Sequence, residues 1–141
     1  MKSHLTAMTR TKVSAPTSLL VENWFITPND KVLDYGCGKG FDANTFGFDK
    51  YDPHFFPDLP NNKYDKIICN YVLNVVDEKT GYDILNNIRS HLNDFGVAYI
   101  SVRRDVKIDG ITKKGTFQRN VILPLQKIEE NSNFCIYKLN R

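Results

Sequence analysis

The chain has 141 residues, 12% aromatic and 25% charged, which suits one globular core and excludes both a disordered chain and a pair of full-sized domains. No stretch approaches the roughly 20 consecutive apolar residues that a membrane-spanning helix needs. The net charge of +3 is unevenly spread. Residues 101–120 hold six cations (Arg103, Arg104, Lys107, Lys113, Lys114, Arg119) against two acids, and the first fourteen residues hold Lys2, Arg10 and Lys12 against none. Two basic segments on an otherwise slightly acidic body point to a polyanionic partner such as nucleic acid; an ordinary solvated surface is the competing reading.

Residues 1–16 are polar and partly basic, without the apolar stretch of a secretion signal. The three cysteines, Cys37, Cys69 and Cys135, lie far apart, with no C-x-x-C pair and no histidine at ligand spacing. That argues for reduced thiols, a cytoplasmic setting and no structural metal. Ser14-Ala15-Pro16 reads as a helix start. The apolar side chains Leu19, Leu20, Val21, Trp24 and Phe25 follow it as one helix face. Thr27-Pro28-Asn29-Asp30 ends that helix, and residues 31–35 read as the first strand. A short helix over 41–46 and a second strand over 48–52 come next, and three prolines between 53 and 60 exclude regular structure. Residues 64–69 form a strand, 72–76 open another helix, and 82–92 make an amphipathic helix with Ile84, Leu85, Ile88 and Leu92 on one face. Val97 to Val102, V-A-Y-I-S-V, is a strand buried on both faces. After a loop over 105–115, residues 117–123 and 134–139 read as an antiparallel edge pair, since no long helix separates them. Strands alternating with helices imply a mostly parallel, doubly wound α/β sheet with an antiparallel C-terminal strand, forming one domain over 1–141. Within it, residues 1–30 are an N-terminal segment and helix, and 31–141 the Rossmann-like core.

The most informative stretch is V-L-D-Y-G-C-G-K-G at residues 32–40, a strand that ends on an acid and turns through three alternate glycines into a helix. Such a turn brings backbone close to a ligand. A dinucleotide fingerprint needs G-x-G-x-x-G, but the sixth position here is Phe41; a phosphate-binding P-loop sequence occurs nowhere. The pattern D-x-G-x-G-x-G resembles motif I of the class I methyltransferases that use S-adenosylmethionine (SAM). The order of the later strands extends this resemblance over nearly the whole chain. More narrowly, T-R-T-K-V-S-A-P at 9–16, D-Y-G-C-G-K-G-F-D at 34–42 and Y-D-P-H-F-F-P at 51–57 resemble small methyltransferases encoded by phages and by bacterial DNA-modification gene clusters.

The resemblance implies SAM as cofactor and S-adenosylhomocysteine as product. Gly36, Cys37, Gly38 and Gly40 would wrap the methionine moiety, Asp34 would hold its ammonium group, and Asp52 would accept the ribose hydroxyls, with Asp49 as a weaker rival. Pro53 and Phe55 would pack on the adenine. Only twelve residues separate Asp52 from Tyr64, so the usual third strand has no room and one sheet edge is truncated. Asn70 and Tyr71 follow the strand that faces the transferable methyl, without the Pro-Pro-aromatic signature of amino-methylating DNA enzymes or the Pro-Cys of 5-methylcytosine enzymes. Cys37 and Cys69 therefore read as packing residues. Asn70, Tyr71, Arg103, Arg104 and Asp105 are the candidates for aligning an acceptor. The leading expectation is a methyltransferase acting on nucleic acid or a nucleotide; the alternatives are an inactive module of the same fold that binds nucleic acid or protein, and a different SAM-consuming enzyme. The segment Thr9-Arg10-Thr11-Lys12 would either fold over the cofactor or reach the substrate.

Overall fold

A computed structural model describes residues 10–106, 109–112 and 115–141. Six strands form one sheet: β1 (Val32–Tyr35), β2 (Asp49–Tyr51), β3 (Tyr64–Asn70), β4 (Leu92–Arg103), β7 (Gln126–Glu130) and β8 (Phe134–Asn140), in the order β2-β1-β3-β4-β8-β7. The first four strands in that order run parallel, and β8 and β7 pair antiparallel at the other side. Strand β2 is the sheet edge, as the short span between Asp52 and Tyr64 requires. The mostly parallel α/β architecture expected from the sequence is the one observed.

Alternate residues of the central strands divide between two cores. Leu33, Ile67, Cys69, Ala98, Ile100 and Tyr137 face one side, where Leu85 and Ile88 of α3 (Glu78–Ser90) cover them. Val32, Ile68, Tyr99 and Ile136 face the other, under Leu20 of α1 (Ala15–Glu22). This two-sided burial is why those strands are almost continuously apolar. Helix α2 (Phe41–Phe46) is short and connects the glycine turn to β2.

Four local readings are corrected. Trp24 leaves the apolar face; its φ is +62° and its side chain is 70% exposed, because the helix has already ended at Glu22. Residues 72–76 make only a 3₁₀ turn (Leu73–Val75). The Asp77 side chain then accepts the Thr80 N–H at 2.7 Å and starts α3 four residues earlier than the apolar periodicity suggests. The span 117–123 is not a sheet strand: β6 (Phe117–Gln118) pairs only with β5 (Gly110–Ile111). Beyond it, the N–H groups of Arg119 and Asn120 donate to the Asn74 carbonyl and the Asp109 side chain. The antiparallel partner of β8 at the edge is instead β7.

Candidate functional site

The carboxyl ends of β1, β2, β3 and β4 open into a cavity of about 970 Å³. Its place at the strand ends is where open α/β sheets bind ligands, and its volume lies at the upper end for small-molecule sites. The glycine turn forms its floor. Gly36, Gly38 and Gly40 have φ of +79°, +57° and +87°, in the left-handed region where a side chain is strained. A Cβ on Gly36 would come within 2.4 Å of Val72 Cγ2. The turn is bound to the neighbouring strand: the N–H groups of Gly36 and Cys37 both donate to the Tyr51 carbonyl, at 2.7 and 3.0 Å.

Asp52 ties the turn down further. One carboxylate oxygen accepts the Gly38 N–H and the other accepts the N–H groups of His54 and Phe55, all at 3.0 Å. Asp49, the rival acid, is occupied elsewhere, accepting the Tyr64 hydroxyl at 2.6 Å. Asp34 is different. It lines the cavity, is 4% exposed, and receives no hydrogen bond from any described residue. Burial, and then the charges of Asp42 and Asp52, push its pKa well above the ordinary carboxylate range, with Arg10 acting in the opposite sense. The same burial, with Asp34 and Asp52 beside it, pushes the Cys37 thiol up to about 12. Cys69 is fully buried and its thiol is raised as well, so neither cysteine is a nucleophile at neutral pH.

A polar network closes one side. Asp42, at the start of α2, accepts the Ser14 N–H at 3.0 Å and the Ser14 and Thr17 hydroxyls. Asn70 Nδ2 donates to Thr17 Oγ1 at 2.8 Å, while its Oδ1 is buried without a partner among the described residues. The N-terminal segment therefore leads over the cavity, and Arg10 lines it. At the far end stand Tyr71, Arg103, Asp105 and Asn133. Tyr71 has φ of +63°, an uncommon value for an aromatic residue. Arg103 makes a two-pronged bond to Asp105 at 2.8 and 2.7 Å.

Asp34, Gly36, Cys37, Gly38, Gly40, Asp52, Pro53, Asn70, Tyr71, Arg103 and Asp105 thus surround one cavity. Two candidates do not. Phe55 lies outside the lining, its ring edge-on to His54 at 4.6 Å. The tight turn bridging Asp52 and Phe56 directs Pro53 and His54 to the cavity instead. Arg104 is the neighbour of Arg103 on β4 and so points to the opposite face. There it donates to Tyr137 Oη and the Val121 carbonyl, both at 2.7 Å, and to Glu130 at 3.0 Å. Arg119 likewise turns inward, donating to the Val76 carbonyl at 2.8 Å. Lys107, Lys113 and Lys114 lie outside the described residues, so the basic surface read from the sequence is not assembled by the described ones.

Sequence reasoning missed Asp42 as a member of the site and left Arg10 undecided. An acid two residues beyond the last glycine was the available signal for Asp42; nothing local marked Arg10. Among the described residues no group of three His, Cys, Asp or Glu side chains is placed to hold a metal ion. Nor is any of their helices long and apolar enough to cross a membrane.

No protein-family model matches the sequence, and no curated protein matches it significantly. Solved structures do resemble its fold. The 1,6-didemethyltoxoflavin-N1-methyltransferase of Burkholderia thailandensis, solved with 1,6-didemethyltoxoflavin and S-adenosylhomocysteine, is 16% identical, with a TM-score of 0.64 over 90% of this chain and 77% of its own. TehB of Haemophilus influenzae is 16% identical with a TM-score of 0.65, covering 94% of this chain and 63% of its own. The 16S rRNA methyltransferase RsmC of T. thermophilus, in complex with AdoMet and guanosine, is 12% identical with a TM-score of 0.55, over 94% and 44%. This chain therefore spans under two thirds of the length of the second and under half of the third. Its fold is the Rossmann-like fold of the class I methyltransferases, in a small form.

Proposed function

We propose that this chain is a SAM-dependent methyltransferase whose acceptor is a nucleotide or a nucleic-acid base. The observation that carries this reading is the charge of the cavity. Three carboxylates, Asp34, Asp42 and Asp52, stand around the glycine turn, and Asp34 is buried without a hydrogen-bond donor. Carboxylates so placed repel the pyrophosphate of a dinucleotide and suit a ligand that brings an ammonium and a sulfonium.

The residues fit SAM. A carboxylate has about four lone-pair sites; Asp52 uses three of them on backbone N–H groups, leaving one for a ribose hydroxyl. Pro53 and His54 flank the adenine end, and Asp34 takes the ammonium. When bound, SAM supplies a methyl group on a sulfonium, which a good nucleophile attacks without covalent help from the protein. The chain's contribution is alignment and exclusion of water. Tyr71 and Arg103 line the open end, where a base would meet the Tyr71 ring and a phosphate the Arg103 guanidinium, in competition with Asp105. Arg104 and Arg119 take no part. RsmC, with guanosine bound, supports an acceptor of this class; the toxoflavin enzyme shows that the fold also serves small heterocycles.

The test is calorimetric titration with SAM and S-adenosylhomocysteine, followed by radiolabelled methyl transfer to nucleosides, nucleotides, RNA and DNA. Binding of neither cofactor form sinks the proposal. Binding without transfer to any nucleic acid component removes the acceptor class and keeps the cofactor.

A further inference from the structure

Two oppositely charged groups line the same cavity without meeting. Arg10 has no hydrogen bond or ion pair with any described residue, and Asp34 has none either. Each feels the other's charge. A guanidinium and a carboxylate that share a partly desolvated site ordinarily close into a two-pronged pair. These two are held apart because each belongs to a separately anchored segment. Asp34 ends β1, buried on the sheet, whereas the chain from Arg10 leads into Ser14 and Thr17, which are bound to Asp42 and Asn70. Asp42 is itself in the first turn after the glycines, so the N-terminal segment is fixed to the glycine turn rather than to the open surface.

We infer that Arg10 and Asp34 together form a receptor for an α-amino-acid zwitterion, Asp34 taking the ammonium and Arg10 the carboxylate. This rests on the SAM reading, since the zwitterion is the methionine end of the cofactor. The inference gives the N-terminal segment a definite task at the cofactor. It also explains why a cation lines a pocket otherwise made of acids. A phosphate on Arg10 would face the three nearby carboxylates, Asp34, Asp42 and Asp52, and be repelled. A carboxylate that arrives with its own ammonium is nearly neutral as a unit, and each end finds its counter-charge.

The experiment is calorimetry with SAM and with decarboxylated SAM, which keeps the ammonium and sulfonium but lacks the carboxylate, on the wild type, Arg10→Gln and Arg10→Lys. Thermal unfolding of each variant checks that it is folded. Wild type should bind SAM more tightly than decarboxylated SAM. Arg10→Gln should weaken SAM by about ten- to a hundred-fold, the range for losing a hydrogen bond to a charged group, and leave decarboxylated SAM within about two-fold of wild type. Arg10→Lys should recover part of the loss. If Arg10→Gln leaves SAM binding unchanged, or weakens both ligands equally, the assignment is overturned while the cofactor reading stands. If wild type binds neither ligand, the cofactor reading falls and takes this inference with it.

Discussion

The carboxylate of Asp52, at the end of β2, accepts the backbone N–H of Gly38 in the turn after β1 at 3.0 Å. An acid expected to touch only ligand is therefore also part of the scaffold that shapes the pocket. Its other oxygen holds the N–H groups of His54 and Phe55, so one side chain joins both walls of the site.

Asp52→Ala removes three charge-assisted bonds at once. The apo protein should lose about 1–3 kcal/mol of stability, since each freed N–H can find water. SAM binding should fall below detection. Asp52→Asn keeps one good acceptor and should lose less stability, while still weakening the ligand. Chemical denaturation and calorimetry on both variants check this; a stable Asp52→Ala protein would contradict the scaffold role.

Asp34 should trade stability against binding. Its folded-state pKa is raised above that of the unfolded chain, so the folded state favours the protonated form. The benefit of that form is present below the unfolded pKa of about 4 and is lost as pH rises through the folded value. At pH 7 to 8 the buried charge destabilises the empty protein. Asp34→Asn should then raise the melting temperature by a few degrees at pH 7.5 and leave it unchanged near pH 3.5. The same variant should abolish SAM binding. Melting curves across that range, with and without ligand, decide the sign.

Gly36→Ala suffers twice, through φ of +79° and through the approach of its Cβ to Val72 Cγ2 at 2.4 Å. The left-handed conformation alone costs about 1–2 kcal/mol. The double variant with Val72→Ala should relieve the clash and not the φ strain, recovering only part of the lost stability. Full recovery in denaturation experiments would mean that sterics alone reserve the position for glycine.

Asn74 is fully buried in the 3₁₀ turn after β3. Its Oδ1 accepts the Arg103 N–H, and its Nδ2 donates to the Arg119 carbonyl, both at 2.8 Å. It thereby fixes the end of β4, where Arg103 enters the cavity, against the segment that follows β6. Asn74→Ala strands two buried backbone groups and should cost on the order of 2–4 kcal/mol. Asn74→Asp keeps the acceptor but not the donor and should fall between the two. Methyl-transfer assays should show a weaker acceptor KM before any change in SAM affinity, because the cofactor end is built from β1 and β2.

The motif around the glycines was legible in sequence because it depends on local rules: an acid closing an apolar strand, then residues that only glycine suits. The same holds for β1, α2, β3 and β4, whose apolar runs are long or strongly β-branched. Other features depended on packing between distant segments. Trp24 lies in apolar company in the sequence, yet the helix ends before it. Residues 117–123 have strand composition, but their backbone donors are captured by Asn74 and Asp109, which no local pattern announces. Arg103 and Arg104 are adjacent cations in the chain, and only the pleat of β4 sends one to the cavity and the other under Tyr137. The sequence by itself determined the class of fold and the glycine floor of the site, since both follow from backbone conformation and hydrophobic periodicity. The tertiary structure decided which charges line the cavity and whether each meets a partner, because those outcomes rest on which segments are packed side by side. Ser14 and Asp42 are 28 positions apart and still hydrogen-bonded, and it is that pairing which leads Arg10 over the pocket.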